Sequence, residues 1–185
     1  MVKEGHFELT SGLHSAVYFE KFRLLERPDI TVLICQEIAN RFRSEEFSIV
    51  VGPTTGGVII AYEVARQLNK RCMFAEKEVR PQSADSGREL RRGFQFSIGE
   101  KILIVDDVLT TGGSIFQTIS AVKKCGGTII GVAVIVDRSE KKIDFNVPLF
   151  SVHKEEVKTW QASDCPLCKK GIELSKPGGT KKNKG

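Results

Sequence analysis

Residues 102–114 read I-L-I-V-D-D-V-L-T-T-G-G-S. Four apolar residues run straight into two adjacent acids, and two threonines, two glycines and a serine follow. An apolar run without polar alternation predicts a strand buried on both faces. Beyond the serine, Ile115, Ile119 and Val122 recur at helical spacing, and Gly126-Gly127 stops that helix. Thr110 to Ser114 therefore lies between a strand and a helix. Gly112 and Gly113 let the backbone turn its N–H groups inward. A helix starting near Ser114 adds unpaired N–H groups and a positive dipole end. The hydroxyls of Thr110, Thr111 and Ser114 add donors. The expectation is a nest for one phosphate group. The run lacks the lysine that ends a nucleotide P-loop, which argues against an ATPase.

Asp106 and Asp107 immediately precede the nest. Two carboxylates there repel an anion unless a cation or hydroxyl groups lie between. Carboxylates suit Mg²⁺, which bridges to substrate oxygens and keeps some of its waters, and they suit sugar hydroxyls. The pair implies a phosphorylated, hydroxylated, magnesium-bound ligand. The alternative is a strand-end acid pair that only caps a helix.

The same alternation extends outward. S-I-V-V-G (48–52) stops at P-T-T-G-G and precedes a helical face of Ile60, Val64, Ala65 and Leu68. C-M-F-A-E (72–76), I-I-G-V-A-V-I-V (129–136) and P-L-F-S-V (148–152) read as further strands. From Asp29, which can cap, Ile30, Leu33, Ile34, Ile38 and Phe42 follow a helical period. Residues 5–20 read as short strands around a turn at Ser11-Gly12. Residues 77–93 are polar, without an apolar period, and predict a long functional loop. Unalternating strands separated by amphipathic helices imply an α/β fold with a mostly parallel, five-stranded sheet flanked by helices. Ligands of such sheets bind beyond the carboxyl ends of the strands. P-T-T-G-G, the quoted stretch and Asp137-Arg138 all fall there. There is no internal repeat.

Composition bounds the rest. The chain has 185 residues, 41% hydrophobic and 28% charged, with a formal net charge of +5. Lys176, Lys181, Lys182 and Lys184 lie in the last ten residues; without them the body carries +1. The basic excess is largely a solvated tail and argues only weakly for nucleic acid. Five cysteines, widely spaced and odd in number, do not suggest a secreted disulfide framework. The longest apolar run, about eight residues, is far short of the roughly 20 that a membrane helix needs. No signal peptide is evident, and a cytoplasmic protein that binds neither nucleic acid nor membrane is expected.

The quoted stretch resembles the 5-phosphoribosyl 1-pyrophosphate (PRPP) motif of the type I phosphoribosyltransferase family. Within that family, G-H-F-E-L-T-S-G-L-H-S-A-V-Y-F (5–19), V-G-P-T-T-G-G-V (51–58), F-A-E-K-E (74–78), L-R-R-G-F (90–94) and V-D-R-S-E (136–140) are similar to the orotate-specific branch. The resemblance implies transfer of ribose 5-phosphate from PRPP to N1 of orotate, giving orotidine 5′-monophosphate and pyrophosphate in pyrimidine nucleotide synthesis. It implies Asp106, Asp107 and Lys77 as catalytic residues. PRPP would be held by Lys77, Asp106, Asp107, Val108, Leu109, Thr110, Thr111, Gly112, Gly113 and Ser114. Thr110 and Arg138 would meet orotate, the Arg138 fork pairing with its carboxylate. Mg²⁺ would reach the site through PRPP and water near Asp106 and Asp107, with no direct protein ligand.

The resemblance further implies an N-terminal hood (1–22), a core (23–160) whose mobile loop 77–93 closes over the site, and a C-terminal segment (161–185). That loop offers Lys77, Arg80, Arg88, Arg91 and Arg92, and would be shared within a homodimer. It lacks the second lysine and the histidine that better-known members carry there. Thr10 and Gly56 stand where a lysine can occur. The alternatives are transfer to another nucleobase, or a non-catalytic PRPP-sensing regulator.

Cys165-Pro-Leu-Cys168 is a lone C-x-x-C. Structural zinc needs four ligands; two could come from a symmetry mate, or His153 could help. A packed turn, zinc, and disulfide or redox chemistry all stay open. His6 and His14 are expected to shape a turn or a subunit contact, and Trp160 to anchor the tail.

Overall fold

The computed structural model describes residues 2–9, 12–78, 87–155 and 158–177. The chain runs β1 (Val2–Glu8), β2 (His14–Phe19), α1 (Phe22–Leu25), α2 (Pro28–Phe42), β3 (Ile49–Pro53), α3 (Gly56–Leu68) and β4 (Arg71–Lys77). It continues through β5 (Arg88–Leu90), β6 (Lys101–Leu109), α4 (Gly113–Lys124), β7 (Thr128–Asp137), β8 (Leu149–Lys154), β9 (Thr159–Trp160) and α5 (Pro166–Lys169). It forms two compact units, one of Leu24–Glu155 and one of Met1–Arg23 with Glu156–Gly185.

In the larger unit the sheet order is β5-β4-β3-β6-β7-β8. Five of these strands are parallel, as the unalternating apolar runs imply. Side chains alternate between the faces. Ile49, Val51, Ile102, Ile104, Val132 and Val134 share a core cluster with Ile115, Ile119 and Val122 of α4. Val50, Leu103 and Val105 point the other way and are fully buried, on the side of α2 and α3. With both faces covered, a strand has no position for a polar residue until it leaves the core at its carboxyl end.

Three expectations need correction. The 77–93 segment is not wholly a loop, because Arg88–Leu90 pairs antiparallel with β4, Lys77 opposite Arg88. Asp29 does not cap α2; the N-cap is Arg27, Pro28 opens the helix, and Asp29 takes a bidentate bond from the Arg27 guanidinium at 3.0 and 2.8 Å. The buried face of α2 carries Thr31, Cys35, Ile38, Ala39 and Phe42, leaving Leu33 63% exposed. Burial pushes the Cys35 thiol up to about 12, with Glu63 adding to the shift.

In the smaller unit β1 and β2 form the expected hairpin, with Gly12 at φ +80° beside the turn. Thr159–Trp160 adds a short strand that pairs with β2 and sets Trp160 opposite His14. No helix among the described residues is long and apolar enough to cross a membrane.

Candidate active site

Two strand-to-helix turns meet at the carboxyl edge of the sheet. Strand β6 runs past its apolar residues through Asp106 and Asp107 to Leu109, so both acids are strand residues and both are buried. Asp106 accepts the Asp107 N–H through Oδ1 at 2.8 Å and the Ser114 hydroxyl through Oδ2 at 2.7 Å. Asp107 accepts the Val108 N–H at 2.7 Å. The turn then opens: Thr110, Thr111 and Gly113 are exposed. Gly112 takes φ +79° as the N-cap of α4, a left-handed backbone that a side chain disfavours. Its carbonyl accepts the Phe116 N–H at 2.9 Å, which closes the first helical turn.

The neighbouring turn leaves β3 at Pro53 and enters α3 at Gly56, with a cis Thr54–Thr55 peptide. A Cβ at Gly56 would fall on Asp107 Oδ2, and one at Gly57 would lie 3.1 Å from Asp106 Oδ1. The two glycines thus bring the P-T-T-G-G backbone against the acid pair.

Arg88 joins these turns to β4. The sequence assigns it to a mobile basic loop; the structure instead buries it. One guanidinium nitrogen donates to Thr54 Oγ1 at 3.1 Å and the Ala75 carbonyl at 3.0 Å, and another to the Thr54 carbonyl at 3.2 Å. Burial pulls its proton affinity below the ordinary arginine value, against the charge of Asp106. Nothing in the polar run around it marks Arg88 as buried, because its partners lie in the turn after β3 and on β4. Arg92 is also engaged, gripping Glu76 at 2.9 and 2.8 Å, while Arg91 lies 3.4 Å from Glu76 and 3.3 Å from Glu89.

The remaining expected residues sit around this centre. Lys77 ends β4 with its side chain exposed, and no ion pair among the described residues engages it. Leu109 is buried in the core, so only its backbone faces the turn; its carbonyl accepts the Arg138 N–H at 2.8 Å. Arg138, half-buried, is thereby fixed beside the end of β6. Asp137 accepts the N–H and hydroxyl of Ser139 at 2.9 and 2.6 Å, shaping the turn that carries Arg138. Thr10, Ser11 and Arg80 lie outside the described residues.

Residues 22–166 match the family model for the phosphoribosyl transferase domain. An orotate phosphoribosyltransferase of Caldanaerobacter subterraneus subsp. tengcongensis is 46% identical over 98% of this chain and 92% of its own length. This chain belongs to the orotate phosphoribosyltransferases. The crystal structure of an orotate phosphoribosyltransferase from Aeropyrum pernix overlays with a TM-score of 0.67, at 28% identity, covering 83% of this chain and 87% of that one. An adenine phosphoribosyltransferase from Rhodothermus marinus shares the fold alone, with a TM-score of 0.60 at 24% identity over 71% of this chain and 83% of that one. The phosphoribosyltransferase fold therefore does not itself choose the base.

Proposed function

We propose that the chain transfers ribose 5-phosphate from PRPP to N1 of orotate, releasing pyrophosphate, in the cytoplasm as a step of pyrimidine synthesis. The observation that carries this reading is the meeting of two phosphate-type turns over one buried acid pair, in a chain of this family. The Thr110–Ser114 amides and hydroxyls hold the 5-phosphate. Asp106 and Asp107 meet the ribose hydroxyls. The backbone of 52–57 faces the pyrophosphate, and Lys77 supplies a cation toward it. Arg138 and Thr110 hold orotate. As the glycosidic bond breaks, positive charge grows on the ribose and negative charge on the leaving group. The chain's work is to position both, oppose those charges and keep out water.

The acid pair fits magnesium. It offers hard oxygen donors only, and each carboxylate is already oriented by a main-chain N–H. Such a set suits Mg²⁺ held through its own waters and substrate oxygens. Bound there, the ion would neutralise charge on the departing pyrophosphate.

A homodimer is part of the same reading. Exposed Leu33, Ile59 and Tyr62 flank an apolar groove of about 360 Å³ between α2 and α3, lined by Leu25, Val32 and Val58. A second copy of this apolar face would cover it. Light scattering should give twice the chain mass, and Tyr62→Glu should give monomers. All five cysteines are free, which suits a reducing compartment.

The deciding experiment follows orotate absorbance with PRPP and Mg²⁺, beside adenine, guanine, hypoxanthine, xanthine and uracil. Turnover of orotate alone is expected. Turnover of another base would overturn the specificity, and PRPP binding without any turnover would favour a PRPP-sensing regulator.

A further inference from the structure

We propose that His6, His14, Cys165 and Cys168 form a structural zinc site that pins the C-terminal segment to the N-terminal hairpin. All four belong to the smaller unit. His6 lies on β1, His14 opens β2, and the two cysteines flank the start of α5. Their ligand atoms lie within 4.8 Å of one another. His6 Nε2 is 2.9 Å from His14 Nδ1, 3.5 Å from Cys165 Sγ and 3.7 Å from Cys168 Sγ; Cys168 Sγ is 3.3 Å from His14 Nδ1. A tetrahedron with Zn–N of about 2.0–2.1 Å and Zn–S of about 2.3 Å has edges of roughly 3.3–3.8 Å. The cluster is close to that shape already.

The protons favour a metal over hydrogen bonding. His6 Nδ1 stands 2.7 Å from the Ile172 carbonyl, a contact that needs the imidazole proton there and leaves a lone pair on Nε2. This is the outer hydrogen bond that orients metal-binding histidines. With that proton placed, a hydrogen bond between the two rings must come from His14 Nδ1, and the two sulfurs are left only weak S–H donors. A single cation satisfies all four atoms. Binding of Zn²⁺ sends the two thiol protons to solvent; two thiolates, two neutral imidazoles and the ion then sum to zero charge. That neutrality suits a site where His6, His14 and Cys165 are 3%, 4% and 0% exposed. Cys168 is exposed and gives the ion a way in.

Sulfur and imidazole donors select zinc over magnesium or calcium. His153, the nearer guess from sequence, is elsewhere, bonded to Glu155 at 2.7 Å. The benefit is structural. This unit has roughly fifty residues and few buried apolar side chains, a size at which small folds commonly need a staple. The backbone follows the same path, with Ser175 N–H bonded to the His6 carbonyl at 2.8 Å and Glu8 N–H to the Ser175 carbonyl at 2.9 Å.

The test uses the full chain, purified without added metal, and elemental analysis for zinc. One zinc per chain is expected. After exchange, Co²⁺ should give visible d–d bands and a thiolate-to-metal charge-transfer band, as a tetrahedral S₂N₂ site does. Cys168→Ser and His14→Asn should each weaken zinc binding by at least about 100-fold, whereas Cys168→His should keep the metal with a weaker charge-transfer band. The proposal is overturned by a chain that holds no zinc and gives no cobalt bands. It is equally overturned by zinc that persists in both weakened variants, or by a Cys165–Cys168 disulfide in the freshly purified protein.

Discussion

The Ser114 hydroxyl donates to Asp106 Oδ2 across 2.7 Å, joining the first turn of α4 to the strand that precedes it. One side chain thus positions an acid and, in the proposed reading, would line the phosphate nest. Ser114→Ala should remove both effects. A hydrogen bond to a charged group contributes about 1.5–3 kcal/mol, so kcat/KM for PRPP should fall roughly 10–100-fold. Steady-state kinetics with each substrate varied should show an unchanged KM for orotate; an equal rise in both would place Ser114 outside the phosphate nest.

Gly56 has no room for a side chain. A Cβ there falls on Asp107 Oδ2, and the carboxylate is held from behind by the Val108 N–H. Gly56→Ala should push Asp107 off its position at a cost of about 1–3 kcal/mol in stability, while kcat falls about 100-fold or more as a charged group moves by an ångström. Circular dichroism should report an intact fold. A variant with wild-type kcat would show that the acid needs no such placement.

Arg88 holds two carbonyls and a hydroxyl around the Thr54 turn. Arg88→Met keeps much of the bulk and removes the guanidinium from the Thr54 carbonyl, at about 1–3 kcal/mol, while the Ala75 carbonyl keeps the Thr54 N–H at 3.0 Å. Urea unfolding should show a loss of that order, and pyrophosphate release should slow because the 52–57 backbone is no longer braced. If activity fell with stability untouched, Arg88 would act on the leaving group as a loop cation instead.

Much of this was legible because the signals are local. A strand buried on both faces cannot carry polar residues, so Ile102–Val105 announces itself, and Thr110–Ser114 states its turn through its glycines and hydroxyls. Arg88 was not legible, because its burial depends on carbonyls at Thr54 and Ala75 rather than on its neighbours. The face of α2 was misjudged because apolar residues occupy both sides of that helix, and Leu33 is left outside. The meeting of His6 and His14 with Cys165 and Cys168 depends on a chain return spanning about 150 residues, which no local pattern encodes.

Cys35 should be chemically silent. Burial raises its thiol to about 12, so the thiolate that attacks disulfide reagents is scarce at neutral pH. Cys125, which is exposed, should react with an aromatic disulfide in the native protein, and Cys35 only after denaturation. The linkage has a definite sign. A folded value above the unfolded value of 9.0 makes the contribution complete below pH 9 and lost as pH rises toward 12. Cys35→Ala should flatten that alkaline fall in unfolding free energy; an identical fall in both proteins would assign it to other groups.

In the proposed reading, Arg138 would separate base recognition from phosphate recognition. Its main chain is fixed by the Leu109 carbonyl at 2.8 Å, so truncating the side chain should leave the turn of β7 and the phosphate nest in place. A planar guanidinium opposite a planar carboxylate makes a paired, charge-assisted contact that a lysine does not reproduce. Arg138→Ala should raise the KM for orotate about 100-fold, and Arg138→Lys should recover only part of it. PRPP binding, followed by calorimetry with Mg²⁺ present, should change less than about threefold, since no phosphate-binding group has moved. Equal losses toward both substrates would show that Arg138 supports the whole edge of the sheet, and would remove it from the orotate site.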